Sequence, residues 1–166
     1  ETLGVAVIKP VGMFGNGLRL KDEEASLILS NILRLIGQRK LFEGGDFIRT
    51  SINPPDFLKP YIKKLSNKLG RDEVEFTTDI KQCLMDKNIL SENWVLKTSL
   101  ASSLSLKLEI INSGELFRCI KCSKVTASIP QKVCTAAKCE SDQFSQIDNN
   151  DQDYYSWLAK LNITNL

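Results

Sequence analysis

The most informative segment of this sequence runs from Arg118-Cys119-Ile120-Lys121-Cys122 to Val133-Cys134-Thr135-Ala136-Ala137-Lys138-Cys139. It holds a C-x2-C pair and a C-x4-C pair, and eleven residues separate the two. Four thiolates in two short knuckles suit a tetrahedral structural zinc site. Soft sulfur ligands favour zinc or iron–sulfur over calcium and magnesium, and the spacing is not that of a ferredoxin. The sequence therefore predicts a structural Zn²⁺ ion whose ligands are Cys119, Cys122, Cys134 and Cys139.

Two other interpretations of the cysteines are open. Two disulfides in a secreted protein are disfavoured because no signal-peptide pattern opens the chain and Cys83 is left unpaired. A thioredoxin-like redox pair leaves the second pair unexplained. We interpret Cys83 as a small buried hydrophobic residue on a helix. With four protein ligands no position remains for a catalytic water, so no catalytic residue is assigned.

The segment before the cysteines alternates as a strand does. Leu104, Leu106, Leu108 and Ile110 recur with a period of two, and the sequence 112–114 predicts a turn into residues 116–118. Before this hairpin the sequence predicts a β-like start at residues 4–8 and three helices. The expected helices run from Asp22 to about Lys40, from Asn53 to Gly70, and from Thr78 to near Asn88.

These patterns predict an α+β chain with a helical body, a winged-helix-like hairpin and an appended four-cysteine zinc ribbon. The expected divisions are a body at 1–98, a hairpin and zinc-knuckle subdomain at 99–145, and an amphipathic helix at 146–166 that packs back on the body. The aromatic residues of that last segment, Tyr154, Tyr155 and Trp157, fit packing better than base stacking, because Asp148, Asp151 and Asp153 would repel phosphates.

Composition limits the possible functions. The net charge is +2, 42% of residues are hydrophobic and there is no histidine, which excludes histidine-dependent hydrolase schemes. The glycines near Met13 lack the G-K-[ST] ending of a phosphate loop and indicate a turn. No apolar run is long enough for a membrane span, and we expect a cytoplasmic chain. The first residue is Glu1, which fits a processed chain or a piece of a larger protein, and the last residues, Ile163-Thr164-Asn165-Leu166, lead us to expect a piece of a larger protein.

The basic residues are concentrated between Arg34 and Arg71, where the sequence has nine basic and three acidic residues. Such an excess can bind nucleic-acid phosphates or can simply be a solvated helix surface. The residues that we predict to contact phosphates are Lys59, Lys63, Lys64, Lys68, Lys121 and Lys124. Four lysines near the cysteines, Lys121, Lys124, Lys132 and Lys138, can equally balance the −2 charge of a zinc–tetrathiolate centre.

Several segments carry a family resemblance when taken in order. They are residues 83–90, Trp94-Val95-Leu96, Phe117-Arg118-Cys119-Ile120-Lys121-Cys122, Val133-Cys134, Cys139 and residues 151–159. Together they resemble the cysteine-rich segment of large superfamily 2 DNA helicases of bacterial antiphage defence, such as those of DISARM and Druantia-like systems. The resemblance covers roughly residues 80 to 160. Relatives often carry histidine where this chain has Val125-Thr126, and no helicase motor motif is present.

The resemblance implies an accessory domain that helps a helicase bind or guide DNA, with the motor domains of the same parent chain or complex as partners. Only the four cysteine ligands transfer to this chain. A different class of function is also open, namely a zinc-stabilised protein docking domain without nucleic-acid binding. An independent enzyme has no nucleophile–base pair to support it.

Overall fold

The computed structural model describes residues 5–45, 49–111 and 115–147. Its elements in chain order are β1 (Val5–Pro10), α1 (Gly15–Leu18), α2 (Asp22–Gln38), α3 (Lys59–Leu69), α4 (Glu73–Asp86), α5 (Leu100–Leu104), β2 (Leu106–Ile111), β3 (Phe117–Cys119), β4 (Val125–Thr126), a 3₁₀ turn (Pro130–Lys132) and β5 (Phe144–Gln146). The mixed α+β class agrees with the prediction. The predicted turn at 112–114 and the helix expected within 146–166 lie outside the described residues, apart from Gln146, which ends β5, and Ile147.

One apolar core lies among the first four helices. It includes Trp94, Tyr61 and Phe76, each with no exposed surface. Almost all of its buried members come from the segment between Phe14 and Trp94, and Val133 is the one contributed from the cysteine-bearing part of the chain. We call the described residues from Phe14 to Trp94 the helical body, and residues 115–147 the cysteine region.

The helix predictions are right in kind and wrong at several ends. Asp22 does not cap α2, because its carboxylate accepts instead from the backbone N–H of Gly15, at 2.6 Å. The second helix begins at Lys59, since the residues after Pro55 form a turn first. Gly70 ends that helix with φ of +64°, as a C-terminal glycine does.

The third helix starts earlier than predicted. Asp72 is its N-cap, because its carboxylate accepts a hydrogen bond from the backbone N–H of Glu75. The residues just before Thr78 are therefore already helical. The Thr78 hydroxyl donates to the carbonyl of Val74 inside the helix. Cys83 is half-buried against the core, and burial raises the pKa of its thiol.

The predicted hairpin between residues 104–110 and 116–118 does not form, so the winged-helix-like pairing is wrong. β2 pairs antiparallel with β1 from the start of the chain, Ile8 opposite Leu108. β3 lies between β4 and β5 in a separate three-stranded sheet. Leu104 lies in α5 rather than in a strand, because Ser99 caps a helical turn there by accepting from the N–H of Ser102.

Candidate metal centre

The first cysteine pair is positioned by the β3–β4 hairpin. Cys119 is the last residue of β3, and its backbone N–H donates to the carbonyl of Lys124 across the turn. Ser123 takes φ of +59° and donates back to the carbonyl of Cys119. This tight return brings Cys122 to the same side as Cys119.

The second pair lies on a loop between the 3₁₀ turn and β5. The N–H of Cys139 donates to the carbonyl of Ala136, which folds the C-x4-C segment into a turn. The N–H of Ala136 also lies 3.5 Å from the sulfur of Cys134. β5 then pairs with β3, with Phe144 opposite Cys119, and so fixes the second knuckle beside the first.

The four sulfur atoms converge. The Sγ atoms of Cys119 and Cys139 are 3.6 Å apart, those of Cys122 and Cys134 are 3.5 Å apart, and all four lie within 4.8 Å of one another. A disulfide needs about 2.05 Å, so these are free thiols. The structure thus brings together the four predicted ligands in a cluster that could hold a metal ion.

The thiol pKa values within the cluster are shifted in opposite directions. Burial alone raises the thiol pKa of Cys119, but hydrogen bonds from the backbone of Cys122 and Lys121 and from neighbouring thiols outweigh it and bring the pKa to about 6. Burial raises the pKa of Cys134 to about 12 and also raises that of Cys122. A bound cation must displace the protons from these thiols, so binding would release protons.

Three basic side chains face the cluster. The Nζ of Lys64 donates to the backbone carbonyls of Cys134, Ala136 and Cys139, at 2.7, 2.8 and 2.9 Å. Arg34 donates to the carbonyl of Val125 and to the hydroxyl of Thr135. Burial and then repulsion from Arg34 lower the pKa of Lys124, while the nearby thiols oppose this. This positive charge is suited to a cluster that becomes net negative on binding a dication.

The lysines predicted to contact phosphates are dispersed. Lys64 is among these lysines, but the second knuckle packs over it and its ammonium donates to three carbonyls there. Lys59 pairs with Asp56 at 2.7 Å, and Lys68 lies 3.8 Å from Asp142. Lys124 is half-buried beside the thiols, as just described.

Lys63 and Lys121 are exposed, and no carboxylate of the described ranges approaches either within 4.0 Å. The same holds for Lys132 and Lys138 near the cysteines. We call Lys63, Lys121, Lys132 and Lys138 the exposed lysines.

Two residues of this site were missed from the sequence. Asn31 and Arg34 lie on α2 and join it to the cysteine region. The Asn31 amide donates to the Tyr61 hydroxyl and to the carbonyl of Ser128, and its oxygen accepts from Thr126. The sequence did contain a signal for them. The two polar residues are three apart on a helix that is otherwise buried on almost every side, which indicates polar partners in the tertiary structure.

No protein-family model, curated protein or solved structure matches this chain. In the ranges that the structure describes, none of the helices combines the length and apolar character that crossing a membrane requires. The candidate site is therefore interpreted from its own geometry.

Proposed function

We propose that this chain is a non-catalytic module built around a structural zinc ion, which serves as an accessory domain of a bacterial defence-type DNA helicase and helps it bind DNA. The geometry of the four sulfurs supports the zinc part. Zinc–sulfur bonds of about 2.3 Å in a tetrahedron separate the sulfurs by about 3.8 Å. The separations of 3.5 and 3.6 Å are close to this value, and all the sulfur–sulfur separations lie within 4.8 Å.

The filled coordination shell supports a structural rather than a catalytic ion. Four cysteine ligands leave no position for a water or a substrate. Lys64 further anchors the second knuckle through the carbonyls of two ligand residues, Cys134 and Cys139. Such outer contacts orient ligands and are typical of a centre that holds a fold together.

The exposed lysines support DNA as the partner. Unpaired ammonium groups on a surface attract phosphates, and each contact releases counterions, so that binding weakens as salt rises. Lys121, Lys132 and Lys138 all lie on the cysteine region, where the resemblance to helicase cysteine-rich segments is also found.

The test is a titration of the zinc-loaded chain with a DNA duplex and with a single strand at several salt concentrations. We expect one zinc per chain. Combining Lys121→Glu, Lys132→Glu and Lys138→Glu should weaken DNA binding and reduce the salt dependence of the binding constant by about one unit of slope per lysine. Lys21→Glu, Lys40→Glu and Lys87→Glu combined are the matched control, because they make the same change in net charge at three exposed lysines outside the cysteine region. Equal binding by the triple variant and the control would contradict the DNA proposal while leaving the zinc assignment standing.

A protein docking domain is the second candidate, and exposed apolar side chains favour it. Leu100 and Leu104 lie one turn apart on α5 and are 78% and 75% exposed, and Leu108 on β2 is 68% exposed. Exposed apolar groups this close together in sequence are typical of binding surfaces. Zinc content without any salt-sensitive DNA binding would favour this function.

A further inference from the structure

A groove lies between α2, β1 and the loop that follows β4. Its volume is about 480 Å³. Its walls are mostly apolar, and the apolar side chains that line it include Val7, Leu27, Leu33, Leu96, Leu106 and Ala127. A groove of this size and character is large enough to accept several apolar side chains.

Arg34 brings a buried and incompletely hydrogen-bonded guanidinium to this groove. Its two terminal nitrogens donate to Val125 and Thr135, but its Nε is buried and has no hydrogen-bond partner. Within the described ranges no carboxylate lies within 4.0 Å of it. Burial lowers its pKa, although the charges of the nearby Tyr61 hydroxyl and Cys134 thiol act in the opposite direction. A buried, incompletely bonded guanidinium is costly, so the groove is suited to an acidic group.

The described part of the chain ends at the rim of the same groove. Ile147 is buried against Leu116, and Val7 and Ala127 pack against this pair. Both of those residues also line the groove. The chain beyond Ile147 therefore begins at the groove whatever course it takes next.

The sequence beyond Ile147 complements the groove. Aspartates at 148, 151 and 153 come first, followed by a group of large apolar side chains, Tyr154, Tyr155, Trp157, Leu158 and Leu161. Tyr154 comes seven residues after Ile147, so even a fully extended connection places it within about 25 Å of that residue. Acidic residues near Arg34 and aromatic residues over apolar walls would thus be available within one short segment.

We propose that the groove binds residues 148–161 of the same chain, with their aromatic side chains against its apolar walls and one of the aspartates bonded to Arg34. The segment then covers apolar surface of β1 and α2 and supplies the missing counter-ion. This intramolecular contact involves neither DNA nor a cysteine side chain, so with metal-loaded protein its test is separate from that of DNA binding.

Tryptophan fluorescence of the full chain provides the test. The chain has two tryptophans, and Trp94 is completely buried in the core. Subtracting the spectrum of a Trp157→Phe variant from that of the unaltered chain isolates the emission of Trp157. We expect this emission to be blue-shifted and protected from acrylamide, as for a buried indole.

Gly37 offers a matched pair of variants. It lies in the last turn of α2 and lines the groove, with open space around the position of a Cβ. Gly37→Glu and Gly37→Ala both improve helix propensity, so both should fold. The glutamate places a bulky acid in the groove and should red-shift Trp157 and raise its quenching severalfold. The alanine should leave both properties unchanged.

Arg34 and the aspartates provide a second measurement. Arg34→Met should increase the quenching of Trp157. One of the changes Asp148→Asn, Asp151→Asn and Asp153→Asn should do the same. The aspartate whose substitution increases quenching is the partner of Arg34. Combining that substitution with Arg34→Met should increase the quenching no further, because both changes remove the same ion pair. Quenching of Trp157 in the unaltered chain as strong as in urea would overturn the proposal. So would protection that disappears on dilution, since this indicates a second copy in the groove.

Discussion

The helical body and the cysteine region are stabilised in different ways. The body buries large side chains such as Trp94, Tyr61 and Phe76 in one continuous core. The cysteine region buries three of its four cysteines, but its apolar clusters are small, and Leu116 and Ile147 form one of them. Apolar burial therefore explains the body by itself, whereas the cysteine region needs cross-links of another kind. A metal ion at the four thiols would supply them.

The largest expected effect comes from removing a ligand. Cys119→Ser should abolish metal binding and with it a stabilisation of about 10 kcal/mol or more for the cysteine region. In hydrogen exchange we expect the amides of β3 and β5 to lose protection while those of α4 keep it. The body does not need the ion, because its core is apolar.

Phe76→Ala is the reciprocal change. Phe76 is fully buried, so its truncation should cost the body about 3–5 kcal/mol and leave the zinc content at the level of the unaltered chain. If Cys119→Ser removes protection from α4 and β3 alike, the two regions unfold as one unit and the comparison fails.

The second effect concerns the joint between the regions. Lys64→Met removes the ammonium that donates to three carbonyls of the second knuckle while keeping most of the side-chain bulk. Loss of a contact of this kind typically lowers metal affinity 10- to 100-fold. Competition with a zinc chelator would measure it. Lys63→Met is the control, since Lys63 is the adjacent residue and is exposed. Equal affinities for the two variants would mean that the amine does not support the knuckle.

The sequence was most informative where chemistry or periodicity is local. The knuckle spacing identified four cysteines that the structure brings together, and local patterns identified α3 together with Gly70 as its C-terminal end. Long-range pairing was not predictable in the same way. The alternation in β2 indicates a strand but not its partner, and the partner is β1, about a hundred residues earlier.

Lys64 shows the same limit for a single side chain. Its helical position marks the outer face of α3, and only tertiary structure shows that the second knuckle packs over that face. The polar residues Asn31 and Arg34 have their partners far along the chain for the same reason, at separations that no local pattern reveals.

The smallest effect concerns Tyr61, the body residue that Asn31 connects to the cysteine region. Burial raises the pKa of this hydroxyl above its ordinary value of 10.0, and the Asn31 amide donates to it at 3.1 Å. The folded chain thus keeps a proton that the unfolded chain loses, so this contribution to stability is complete below pH 10 and declines as the pH rises further. Tyr61→Phe should cost roughly 0.5–1.5 kcal/mol at pH 7 and remove that decline. Urea unfolding of both chains from pH 7 to 11 measures the difference, which should narrow above pH 10. A constant difference across this range would mean that Tyr61 titrates alike in both states.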